Sequence, residues 1–83
     1  SWPEAIDDVD ADNTIVVNTL ANGIEIVAHE ALQAVEVWSV AGQLLYVAQP
    51  HCNTHTIALD NYHGVVVVKA CTTHDSVVVK CVK

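Results

Sequence analysis

The hexapeptide PHCNTH sets His51, Cys52 and His55 close together, and His63 and His74 lie further along the chain. An H-x-x-x-H spacing holds zinc when a helix or tight loop brings two imidazoles together beside a thiolate. Here the spacing falls on a polar loop with no C-x-x-C partner, and the histidines read as solvent-facing turn residues. Asp8, Asp10 and Asp12 alternate as calcium-loop ligands do. A loop of that kind starting at Asp8 needs Gly and a bidentate Glu where this chain has Asn13 and Thr19. Residues 1–13 therefore read as an acidic, solvated lead-in. Cys52 beside His51, and Ser39 and Ser76 in or next to strands, lack an ordered base and oxyanion donors. No catalysis, metal or cofactor is expected.

Three cysteines, Cys52, Cys71 and Cys81, cannot all pair within one chain. Strand alternation puts Cys71 on the face of Lys69 and Cys81 on the face of Val77 and Val79. A bridge between them has poor geometry, and three buried or half-buried thiols are expected.

Those residues must be positioned by a chain of 83 residues, enough for one domain with one modest core. Hydrophobic residues make up 52%, yet there is no Phe and no Met. The bias toward Val and Ile favours strands. Net charge is −7, with Glu4, Asp7, Asp8, Asp10 and Asp12 in the lead-in and the only bases, Lys69, Lys80 and Lys83, near the other end. Such a surface repels phosphate backbones, so nucleic acid is not an expected partner. No apolar run approaches the roughly eighteen residues of a membrane helix. The opening SWPEAIDDVDADN is not a secretory signal, and with no initiator Met the chain is expected to be a piece of a longer protein.

Seven short β runs are expected, at 14–17, 23–28, 35–40, 43–48, 56–59, 65–71 and 76–82, the spacing of an all-β sandwich. A helical rival, HEALQAVEV from His29, is short and runs into the alternation of Val35 and Val37. Alternation points Ile15, Val17, Ile24, Ile26, Val35, Val37, Leu45, Val47, Ile57, Leu59, Val66, Val68, Val77 and Val79 inward. Glu25, Glu36, Tyr46 and Lys80 fall on the outer faces. Ser39 faces inward at a strand end, where turn backbone can satisfy its hydroxyl. Trp38 and Tyr46 either form an outward aromatic patch or pack against each other or a neighbouring strand. Gly42 supplies a turn between two runs, Asn22 and Gly23 open one strand, and Gly64 opens another.

The order of these motifs, NGIEI, VEVWSVAGQLLY, NTHTIALD, YHGVVVVKA and SVVVKCVK, resembles the C-terminal sorting domain of the type IX (Por) secretion system of Bacteroidetes. The resemblance covers about residues 14 to 83. Gly42 matches the glycine of a "GR" turn, Ile57 and Leu59 match "I-x-L", and Gly64, Val68 and Lys69 match positions of "GIYIVKV". Lys80 and Lys83 match the terminal basic positions. Gln43 replaces the usual arginine, Val66 a tyrosine, Ala41 a frequent Thr or Asn, and His74 with Asp75 a common glycine turn. The resemblance implies a seven-stranded, immunoglobulin-like antiparallel β-sandwich at residues 14–83. It also implies a secretion address on a cargo that crosses the periplasm and ends at the cell surface or outside. Implied partners are the type IX translocon and outer-membrane shuttle and sortase-like proteins, with cleavage in or before the lead-in. A different class, an immunoglobulin-like or fibronectin-like spacer or adhesion module, fits the same strands. Exposed strand edges also suit a strand-exchanged homodimer.

Overall fold

The computed structural model describes residues 15–59 and 62–83. Thr14 and the lead-in, with its aspartates and expected cleavage region, lie outside the described residues, as do Asp60 and Asn61. Seven strands follow in order: β1 (Ile15–Leu20), β2 (Gly23–Ala28), β3 (Ala34–Ser39), β4 (Leu44–Ala48), β5 (Thr54–Ala58), β6 (Val65–Cys71) and β7 (Ser76–Val82). There is no helix among the described residues, and the helical rival from His29 is a loop leading into β3. Alternation of apolar residues found the strands but misjudged the ends of polar ones. β1 runs on through Asn18 and Thr19 because they pair with Glu25 and Ile24. β5 begins at Thr54, which pairs with Val27.

Every pairing is antiparallel. One sheet has the order β1-β2-β5 and the other β4-β3-β6-β7. The connections β2 to β3, β4 to β5 and β5 to β6 therefore cross between sheets, the Greek-key habit of immunoglobulin-like sandwiches. Relative to the four-over-three constant-domain arrangement, β4 belongs to the opposite sheet, giving three strands over four. Neither face of so small a sheet is stable alone, and packing the two apolar faces together creates the core.

That core is a layer of branched aliphatic side chains. Ile24, Ile26 and Ile57 from one sheet meet Val35, Val37, Val66 and Val68 from the other, all essentially inaccessible to water. Val17, Leu45, Leu59, Val77 and Val79 are partly buried around them, as alternation predicts. Ala28, Ala70 and Cys81 complete the layer, and Leu32 enters it from the β2–β3 loop. The loop is held by its backbone: Leu32 N–H donates to the Cys52 carbonyl, and His51 N–H donates to the Leu32 carbonyl.

Val47 is the one expected core residue that lies outside, 56% exposed. The register between β3 and β4 shifts between Val37 and Trp38, so that Trp38 opposes Leu44 while Val37 opposes Tyr46. One extra residue, Leu45, sits in this β-bulge. The bulge reverses the phase of alternation beyond it. Tyr46 packs against the core, correcting its expected outer position, and Val47 opposes Glu36 on the outer face. Trp38 and Tyr46 accordingly occupy opposite faces and form neither an outward patch nor a stacked pair.

The thiols also sort by phase. Cys81 is buried opposite Val66, Cys71 is half-buried opposite Ser76, and all three cysteines are free. Cys52 is exposed, against the expectation of burial, because it lies at the tip of the loop between β4 and β5.

Two glycines have different reasons to be glycine. Gly42 has φ +93° with open space around it, a left-handed turn conformation that L side chains disfavour. Gly23 lies within a strand, and a Cβ there would collide with the Ile57 carbonyl oxygen of the neighbouring strand. Replacement of Gly23 by Ala must push β5 away from β2. Chemical denaturation should show Gly23→Ala destabilised by about 3 kcal/mol, as overpacking does, and Gly42→Ala by about 1 kcal/mol. Leu32→Ala should cost about 3 kcal/mol, the range for a fully buried leucine; a loss below about 1 kcal/mol would mean that the loop does not anchor the core.

Candidate functional site

The sequence motifs separate into three places. Ile57, Val66 and Val68 are core residues. Lys69 and Lys80 point outward from the four-stranded sheet, where Lys69 opposes Glu36 and Val78, and Lys80 opposes Val67. Gly42, Gln43, Leu59, Gly64 and Lys83 gather at one end of the sandwich, because β3 ends where β6 begins, Ser39 opposing Val66, and β6 begins where β7 ends. Residues distant in sequence thus meet at a single pole.

Short-range hydrogen bonds build that pole. Ser39 accepts the Gln43 N–H on its hydroxyl at 3.1 Å, as its place at the strand end leads one to expect, and its carbonyl accepts the Gly42 N–H. Gly64, at φ +132°, exchanges two backbone hydrogen bonds with Lys83. These extend the β6–β7 ladder by one residue pair. Leu59 N–H donates to the Asn22 carbonyl, joining the end of β5 to the β1–β2 turn.

Lys83 makes the longest reach. Its Nζ donates to the carbonyls of Leu20, at 2.7 Å, and Gly23, at 3.1 Å. Leu20 and Gly23 are the pair that closes the β1–β2 hairpin. A lysine that the resemblance marks only as a terminal base therefore clasps the end of the other sheet. Lys80 stays exposed on β7, which among the described residues is hydrogen-bonded on one side only, to β6, and lies near β1 at the edge of its sheet. Edge strands with an outward lysine resist indiscriminate pairing while keeping main-chain groups available.

The opposite pole contains the residues whose spacing suggested metal chemistry. His51 takes a left-handed φ of 56° and is exposed. Cys52 donates its thiol to the Thr54 carbonyl. His55 faces inward, where its Nε2 shares a 2.7 Å hydrogen bond with the Tyr46 hydroxyl, a link between the two sheets. The three residues have separate partners and directions, and no group of three or more His, Cys, Asp and Glu able to hold a metal ion occurs among the described residues. His74 pairs with Glu30 at 2.8 Å, tying the β6–β7 turn to the β2–β3 loop. That turn needs no glycine. The buried Thr72 hydroxyl accepts the N–H groups of His74 and Asp75, and the Thr72 N–H donates to the Asp75 carbonyl.

Pattern reading missed three of these contacts: the Lys83 clasp, the Tyr46 to His55 link and the Lys69 ammonium over the Trp38 ring at 5.5 Å from its centroid. The first two join strands of different sheets, whose pairing is a property of the whole topology. The third was accessible in principle, since Trp38 and Lys69 share parity on strands that prove adjacent.

No protein-family model matches this chain, and neither a curated protein nor a solved structure matches it.

Replacing Lys83 by Met keeps the aliphatic stem and removes both hydrogen bonds. The loss expected is about 1 kcal/mol, typical of partly exposed bonds from a charged donor, with faster amide exchange confined to the β1–β2 turn and β7 end. Lys80→Met, at an exposed position, serves as the control and should leave both quantities unchanged.

Proposed function

We propose that the chain is a sorting domain of the type IX secretion class, an address read by export machinery, with no catalytic role of its own. The observation that supports this reading most is the gathering of the motif residues Gly42, Gln43, Leu59, Gly64 and Lys83 at one pole beside β7, an edge strand among the described residues. A receptor could grip such a pole through turn backbone and extend the sheet along β7, with Lys80 setting charge preference. The partners of this reading are a translocon and outer-membrane shuttle or sortase proteins, met in the periplasm before release to the surface or medium. Gln43 in place of arginine leaves the turn backbone intact, since its N–H is held by Ser39.

An immunoglobulin-like or fibronectin-like spacer or adhesion module is the second reading, favoured by the three-over-four strand arrangement. Fold alone does not separate the two.

A fluorescent reporter carrying a periplasmic signal at its start and this chain at its end separates them. In a bacterium with a type IX system the reporter should reach the surface or medium, and in a strain lacking the translocon it should stay in the periplasm. Removing residues 76–83 is an uninformative variant, because it strips Val77, Val79 and Cys81 from the core. Lys80→Glu reverses an exposed charge instead. It should reduce export while the melting temperature holds. Retention of the unaltered reporter in the periplasm of the competent strain rejects the address reading.

A further inference from the structure

The two outer faces of the sandwich differ in chemistry. The three-stranded face presents the rows Val16, Val27, Thr54 and Asn18, Glu25, Thr56, with Leu20 at its end; Asn18 donates to Glu25, and the face has no base to answer that acid. The four-stranded face presents two cross-strand rows through its middle: Val47, Glu36, Lys69, Val78 and Leu44, Trp38, Val67, Lys80, each in the order β4, β3, β6, β7. Val65 and Val82 extend it toward the turn pole. Three of its residues, Leu44, Val47 and Val82, are among the most exposed large hydrophobics, at 46%, 56% and 70%. Trp38 lies half-buried between them, its indole N–H donating to Glu36 at 2.9 Å and its ring beneath Lys69.

We propose that this face is the contact between two copies of the chain, related by a two-fold axis in the plane of contact that runs along the strands between β3 and β6. The reason is the order of residues in the rows. The first reads valine, acid, base, valine; turned over about that axis it reads valine, base, acid, valine. Glu36 of each copy then meets Lys69 of the other, and Val47 meets Val78. In the second row Trp38 meets Val67, and Leu44 lies along the aliphatic stem of Lys80. Two-fold contacts require this kind of self-complementary patch. The usual rotation of roughly 30° between packed sheets displaces the outer strands most and leaves the Glu36 to Lys69 contacts beside the axis nearly in place.

Charge suits a second copy meeting this face better than the three-stranded one, where the only charged strand residue is the acid Glu25. The chain carries −7 overall, with Glu4, Asp7, Asp8, Asp10, Asp12 and Asp60 outside the described residues, so the described residues are close to balanced in charge. The four-stranded face instead sets two bases, Lys69 and Lys80, beside one acid, Glu36, so it carries both charges that a self-complementary contact needs. Strands about 4.8 Å apart and some 20 Å long give a patch of about 300 to 400 Å² in plan on each copy. The accessible area buried is then near the lower limit of about 1,000 Å² for specific association, consistent with a dimer of micromolar strength. This pairing uses the sheet face and is independent of β7 edge pairing and of the export reading.

Sedimentation velocity on the full chain tests it. The unaltered protein should pass from monomer to dimer between about 1 and 500 µM. E36K and K69E should each raise the dissociation constant at least about tenfold. An equimolar mixture of E36K with K69E should dimerise again, because two bases of one copy then meet two acids of the other. V47K, at an exposed position, should weaken association without altering the melt, a check that does not rely on the charged pair. A chain that stays monomeric throughout the range, a dimer that survives both charge reversals, or a mixture that stays dissociated would each overturn the proposal. Pairing through strand edges would give the second of these results.

Discussion

The contact on which the molecule depends is the single apolar layer between its sheets. Ile24, Ile26 and Ile57 on one side and Val35, Val37, Val66 and Val68 on the other are short, branched and stiff, and they pack without Phe or Met. Such a layer is thin. It fills the space between the two sheets with side-chain carbon and leaves the chain's chemistry to its poles, edges and outer faces.

Those surfaces are positioned by backbone economy. Hydrogen bonds tie the turns and strand ends of the motif-bearing pole together: the Gln43 N–H donates to the Ser39 hydroxyl, Gly64 and Lys83 exchange two backbone bonds, and the Leu59 N–H donates to the Asn22 carbonyl. The pole has little freedom, and its recognisable elements are presented as one surface. Anything that docks on strand ends held this way meets a preformed surface, which lowers the ordering cost of association.

Much of this was legible in the residues, for a definable reason. A two-residue period with turn chemistry between the runs specifies strands, and the isoleucine- and valine-bearing runs of β2, β6 and β7 gave their bounds directly. Polar strands such as the second half of β1 carry no such period, and only their partners reveal them. One bulged residue, Leu45, was enough to invert the reading of Tyr46 and Val47, since the period counts residues and a bulge adds one. Leu32 escaped notice because a buried loop residue has no period at all. For the candidate site, the turn glycines and lysines were visible as motifs, but their meeting at one pole depends on Ser39 opposing Val66 and on a lysine reaching across sheets. Pairing between distant strands is a three-dimensional fact that local pattern does not encode.

The placement of the first and last strands has a mechanical consequence. β1 starts at the pole of the β6–β7 turn and runs toward the opposite pole, where β7 also ends, so the chain enters at one pole and leaves at the other. Tension between the two ends pulls along the strands, loading the ladders β1–β2 and β6–β7 in shear, with their bonds strained together instead of unzipped one by one. The domain is thereby built to stay folded under longitudinal force, and the ammonium clasp from β7's end to the β1–β2 hairpin binds the two sheared layers where that force is applied.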